Sequence, residues 1–345
     1  MPSSSDANGV PFDSGPPSVA ALADPWARRT VALNGPLERT SVDPATLGFV
    51  TGLLGLGAAF ILFQFFVTPV VLVVQIVLAE GGMSSLSSMS DPARLLDAYT
   101  RELIVSNSVG QVLGLAVPAL LAARLHTRQW FSYLRIRGVD PRFLLLAGVG
   151  VLGLQPVVQW LAQLNQALPL PEGMRMLEES QLQMIQKVLE SNLGLGFNVV
   201  MLALVPALCE EVLFRGYAQR QFERAAGAGG GILLSGVLFG LYHLRPSQVL
   251  PLAVIGLFLA YLTWRTGSLW PAILVHLLHN GIAVVASHAA QRRPELDLQS
   301  LEGMSLPWYV VVGGFVIVGG VLYVLDPMAR RLQNAESDDG PPRVS

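Results

Sequence analysis

The chain has 345 residues, 52% of them hydrophobic and only 13% charged, with a net charge of −2, where an ordinary soluble domain carries roughly 25% charged residues. Together with a mean hydropathy of +0.51, this excludes a soluble globular protein, and the lack of any basic patch interleaved with aromatics excludes nucleic acid as a partner. A single cysteine, Cys209, excludes an intrachain disulfide framework and a multi-cysteine metal cluster, and reads as a small buried hydrophobe.

Residues 1–46 are rich in Ser, Pro, Asp and Gly and read as a disordered cytoplasmic tail, with nothing that resembles a cleaved signal peptide. Eight uncharged segments follow, each long enough or nearly so to cross about 30 Å of hydrocarbon: residues 47–79, 103–123, 143–165, 193–214, 230–245, 249–264, 270–288 and 306–326. They predict an all-α, polytopic membrane domain over residues 47–326. The first run exceeds a perpendicular crossing, so it must tilt, bend near Pro69 or continue past the interface. Between the third and fourth segments, Leu182, Ile185 and Leu189 stand at helical spacing, which predicts a short amphipathic connecting helix on the non-cytoplasmic surface. The fifth and sixth segments are short and predict helices that stop around His243 to Pro251. Residues 327–345 read as a second disordered cytoplasmic tail. Gly48 and Gly52, and the set Gly313, Gly314, Gly319 and Gly320, are accounted for by helix packing. There is no internal repeat and no phosphate-binding glycine loop.

Orientation follows from the basic residues. With eight spans, about two thirds of the lysines and arginines fall on the side that also carries both termini, which predicts a multi-pass protein of the cell membrane with both ends cytoplasmic.

Ionisable groups at membrane depth are costly enough to mark function. The apolar run from Ser191 to Cys209 ends in Glu210 and Glu211, with Arg215 four residues beyond the second acid. His243 closes the fifth segment, and His276 and Asn280 stand at i and i+4 on one face of the seventh. The midpoint between Glu210 and His243 falls in the stretch AAGAGGG, residues 225–231, so two antiparallel helices joined there hold the acid and the imidazole at one depth. The level pairing requires residues 215–229 to project beyond the membrane as a helical extension, and the four groups then meet in a cavity open to the cytoplasm. His126 falls in a loop. His279 and His288 read as packing groups, and Phe239 as a packing residue.

In chain order these residues spell EExxxR (Glu210, Glu211, Arg215), FxxxH (Phe239, His243) and HxxxN (His276, Asn280). The set resembles the CAAX protease and bacteriocin-processing family of intramembrane proteases, the Abi and Rce-type enzymes, over about residues 190–290. The resemblance implies a conical cavity and an endopeptidase in which Glu210, aided by His243, activates a water while His276 and Asn280 bind the oxyanion. Hydrolysis needs such a base and such donors. Glu211 and Arg215, at i and i+4 with the acid N-terminal, take a supporting and orienting role. The implied partners are the lipid bilayer and a membrane-associated or prenylated peptide or protein; oligomeric state is not legible.

Two mechanisms stay open on these residues. Glu210, His243 and His276 also make the two-histidine, one-carboxylate set of catalytic zinc sites, although HExxH is absent, so the cofactor is either none or Zn2+. Two other classes of function compete with proteolysis: a non-catalytic immunity or scaffold protein, and a transporter, whose ion path midplane polar groups also mark.

Overall fold

The first long helix begins where the sequence supplies a cap. The Asp43 carboxylate accepts from the backbone N–H groups of Ala45 and Thr46, both at 3.0 Å, and Pro44 follows at the first helical position. From there the computed structural model, which describes residues 21–22, 31–80, 92–167, 169–292 and 306–338, is helical apart from one two-residue antiparallel ladder, β1 (Ala21–Leu22) with β2 (Val31–Ala32). The helices that matter here are α1 (Pro44–Glu80), α2 (Pro92–Ala98), α3 (Thr100–His126), α4 (Pro141–Gln166), α5 (Glu172–Leu189), α6 (Leu195–Tyr242), α7 (Val249–Thr266), α8 (Trp270–Arg292) and α9 (Trp308–Asp338).

Among the described residues, seven helices are long and apolar enough to cross a membrane, which makes the chain a multi-pass membrane protein. Their outer faces expose large apolar side chains such as Phe65, Leu145 and Val316. Contiguous apolar exposure of that kind is what lipid, not water, accommodates.

Three of these helices widen into a π turn two residues ahead of a proline. Leu62–Val67 precedes Pro69, Val112–Ala116 precedes Pro118, and Val200–Leu204 precedes Pro206. Proline has no N–H to donate and its ring presses on the carbonyl four residues back, so the helix absorbs the conflict by opening one turn. The sequence expectation of a bend near Pro69 is met in this form.

The eight expected segments correspond to seven long helices because the fourth and fifth both lie in α6. That helix is broken at Ala226 (φ −134°) and Gly227 (φ 70°, ψ 179°), the second a backbone region that essentially only glycine occupies. The chain reverses there and the two legs pack side by side. Ser235 Oγ donates to the Phe214 carbonyl at 3.4 Å, and the Phe214 and Phe239 rings meet edge to face at 5.2 Å. The second leg then turns at His243 and runs back along α7, so close that a Cβ on Gly256 would lie 2.6 Å from the Gly236 carbonyl oxygen.

Residues 215–225 carry the first leg of α6 on to the break at Ala226, and much of this stretch is enclosed. Arg215, Gln219, Arg220 and Gln221 are buried, and Arg220 donates to the Tyr133 carbonyl at 3.0 Å. Arg135 pairs with Glu223 at 2.6 Å. The protein wraps this hairpin tip because each charge finds a partner there.

Both expected tails are shorter than the sequence suggests. Residues 31–43, read as part of a disordered segment, are described with Val31 and Leu33 buried and a 3-10 turn over Pro36–Arg39. Glu38, on that turn, is chelated by Arg224 through two bonds of 2.7 Å and by His126 Nδ1 at 2.5 Å. His126 is therefore the buried last residue of α3 and not a loop group. At the other end α9 runs on to Asp338, held where Arg265 meets Asp326 at 2.6 Å, so the boundary expected at residue 326 is not where the helix stops. Residues 1–20 and 339–345 lie outside the described residues.

α5 matches the amphipathic helix expected between the third and fourth segments. Its buried Glu178 accepts from the Ser247 N–H at 3.3 Å and from the Ser247 hydroxyl, which ties it to the turn after His243.

Candidate active site

The EExxxR segment sits on the first leg of α6, where a further π turn, Val212–Ala218, starts directly after Glu211. Glu211 and Arg215 are fully buried and paired at 2.8 Å. Arg215 also donates to the Gly256 carbonyl at 3.0 Å, and its guanidinium lies 4.3 Å from the centre of the Phe239 ring. The Glu211–Arg215 ion pair is thus internal to the protein. The close approach of Gly236 and Gly256 brings that carbonyl within reach.

Phe239 separates the guanidinium from two imidazoles. Its ring stands edge to face with His243 at 4.9 Å and with His276 at 5.7 Å. FxxxH places Phe239 and His243 on one helical face, and because α6 ends here, the Phe239 carbonyl has lost its usual backbone donor. His243 Nδ1 donates to it at 2.8 Å.

His276 is fixed by the second acid. Its Nδ1 meets Glu211 Oε1 at 2.8 Å, on the same oxygen that accepts from Arg215. A carbonyl and an ionised carboxylate can only accept, so both His243 and His276 carry the proton on Nδ1 when neutral, and each presents a lone pair at Nε2.

Both Nε2 atoms face Glu210. Its Oε2 lies 3.8 Å from His243 Nε2 and 3.9 Å from His276 Nε2, and among the described residues that buried oxygen has no hydrogen-bond partner. These separations are too long for a direct bond and suit a shared water. Exposure falls from 29% at the His243 side chain to 13% at Glu210 and 5% at His276, so the cluster opens on the His243 side.

Asn280 stands slightly apart. Its Nδ2 donates to the Leu202 carbonyl at 3.5 Å, the carbonyl that Pro206 leaves without an intrahelical donor. The structure brings six of the seven motif residues into contact with one another and sets Asn280 to one side, and sequence reasoning missed two contacts: Glu211 on His276, and Asn280 on the carbonyl freed by Pro206. Pro206, four residues after Leu202, was the available signal for the second.

The donor set matches zinc chemistry in atom type. As placed, however, no group of three His, Cys, Asp or Glu side chains among the described residues stands at metal-ligand spacing.

The fold and this cluster define a polytopic helical membrane protein with a carboxylate and two imidazoles converging inside it. Residues 192–282 match the model of the type II CAAX prenyl endopeptidase Rce1-like family, the kinship read from the three motifs. The match includes every residue named in those motifs. No curated protein and no solved structure matches the chain.

Proposed function

We propose that the chain is an intramembrane endopeptidase that hydrolyses a peptide bond in a membrane-associated or prenylated substrate. The observation that carries this reading is the buried Glu210 Oε2 between two imidazole Nε2 lone pairs. A water among these three acceptors can donate its two hydrogens to Glu210 and to one imidazole, and a water so held has its own lone pair free for a carbonyl carbon.

In this reading Glu210 takes the proton from the attacking water and His243, the more exposed imidazole, passes it to the leaving amine. His276 beside Glu211 is stabilised as an imidazolium when it takes up a second proton from solvent, which it returns on product release, and its Nε2–H then faces the developing oxyanion together with the Asn280 amide. Both termini lie on the cytoplasmic side, as the distribution of arginines supports. Glu210→Gln keeps the shape of the side chain but cannot accept the proton. Reconstituted in vesicles with a farnesylated C-terminal peptide and its unprenylated counterpart, it is expected to lose at least about 1000-fold in turnover, within the range seen when a catalytic base is removed, while melting like the wild type. A variant as active as the wild type refutes the assignment.

The reading needs no metal. Activity is expected to survive exhaustive chelation, with elemental analysis giving substoichiometric zinc; activity lost to chelator and restored by zinc overturns the metal-free form.

A further inference from the structure

Three imidazoles belong to this region, and only two of them have roles in the scheme above. The third, His279, matches no motif position. It lies three residues after His276 on α8 and directly before Asn280, and His276 and His243 are its electrostatic neighbours. Its Nδ1 stands 3.0 Å from Nε2 of Gln155 on α4.

That contact decides the proton. The Gln155 Nε2 is an amide nitrogen and can only donate, so His279 Nδ1 must accept, and neutral His279 carries its proton on Nε2. The other two imidazoles are held the opposite way: His243 by the Phe239 carbonyl and His276 by Glu211 both protonate Nδ1 and present lone pairs at Nε2. His279 is therefore the imidazole of the three that offers an N–H donor without first acquiring a proton. Among the described residues, no hydrogen-bond partner is found for that Nε2–H.

A peptidase has a use for such a group. The carbonyl oxygen of a bound peptide must be polarised before a proton has moved, when neutral His276 shows only a lone pair and the Asn280 amide is drawn to the Leu202 carbonyl. We propose that His279, held in its Nε2–H tautomer by Gln155, is a substrate-binding residue that donates to a peptide carbonyl oxygen at the site, with Gln155 as its positioning residue. The proposal rests on the endopeptidase reading. It asks for no proton transfer at His279, which stays neutral throughout.

The test uses the full chain in nanodiscs, histidine labelled with 15N, and the farnesylated peptide as probe. At pH 7.5 the His279 resonances, assigned by their loss in His279→Gln, are expected to show a protonated Nε2 and an unprotonated Nδ1. Glutamine can keep a donor where Nε2 stood, so His279→Gln is expected to stay within a few fold of the wild type. His279→Leu removes the donor and is expected to lower kcat about 100-fold, the scale of one lost oxyanion-type donor, with unchanged melting. Gln155→Leu is expected to populate both tautomers and to fall between them in kcat.

A protonated Nδ1, or a His279→Leu variant that turns over like the wild type, overturns the donor role while leaving Glu210 as the base. A glutamine variant as impaired as the leucine variant also overturns it, since a packing role and not a donor is then at stake. Wild-type protein inactive on both peptides refutes the endopeptidase reading and the His279 role with it.

Discussion

Adjacent carboxylates on one helix point about 100° apart, and here they meet different chemistry. Glu210 faces the two Nε2 lone pairs, whereas Glu211 is enclosed with Arg215 and His276 Nδ1. Glu211→Gln removes the charge that Arg215 pairs with and disturbs the acceptor of the His276 Nδ1–H, so it is expected to cost about 3–5 kcal/mol of stability, the scale for breaking a buried ion pair. Activity falls as well, because His276 loses the group that sets its tautomer. Thermal melting and turnover measured on Glu210→Gln and Glu211→Gln together check this: a stable, inactive Glu211 variant beside an unstable, active Glu210 variant shows that the two roles are exchanged. A second buried carboxylate, Glu38, lies outside the spans. Burial alone raises its pKa, but the bonds from His126 and Arg224 outweigh that and hold it below the ordinary range of a glutamate. A lowered folded pKa means that its contribution is complete above the unfolded value and is lost as pH falls through the folded one. Glu38→Gln is therefore expected to lower stability by about 3 kcal/mol at neutral pH. The gap between the two proteins should close as melting is measured at progressively lower pH, beginning near pH 4.5; a constant gap down to pH 3 contradicts the pairing.

The element that organises the site is the α6 hairpin. Its reversal depends on Gly227, whose φ of 70° with ψ of 179° excludes a Cβ at little cost. Gly227→Ala is expected to cost about 1–3 kcal/mol of backbone strain, read as a drop in melting temperature. Its effect should extend to the chemistry, since Glu210 and His243 lie on opposite legs of that hairpin and any shift at the tip changes their level. Gly229→Ala, two residues further on at ordinary helical angles and with open space around a new Cβ, provides a control for glycine loss without a positive φ. Equal melting of Gly227→Ala and the wild type removes the argument. The midpoint between Glu210 and His243 places this turn correctly from spacing alone, because two antiparallel helices of equal rise must bring equidistant residues together. What the spacing could not show is that the tip is enclosed: the partners of Arg220 and Arg135, the Tyr133 carbonyl and Glu223, come from distant or opposing segments whose approach no local pattern encodes.

At the scale of the whole molecule, the distribution of basic residues predicts an orientation that can be read directly. Cysteine placed at exposed Arg128 is expected to label only from the cytoplasmic side, and at exposed Glu172 only from the other side, with native Cys209 buried and silent. Labelling of Arg128→Cys from outside intact cells inverts the arrangement.

Composition by itself determined that the chain is helical and lives in a membrane, because only helices or closed barrels satisfy backbone groups in hydrocarbon and these apolar runs have helical length. Motif spacing determined which polar residues gather, since i and i+4 positions share a face whatever surrounds them. The tertiary structure alone decided the protonation pattern of the three imidazoles. Each tautomer depends on what the other ring nitrogen touches: the Phe239 carbonyl for His243, Glu211 for His276 and Gln155 for His279. Two of those contacts join residues 65 and 124 positions apart, and no local pattern of hydropathy or charge carries information over that distance.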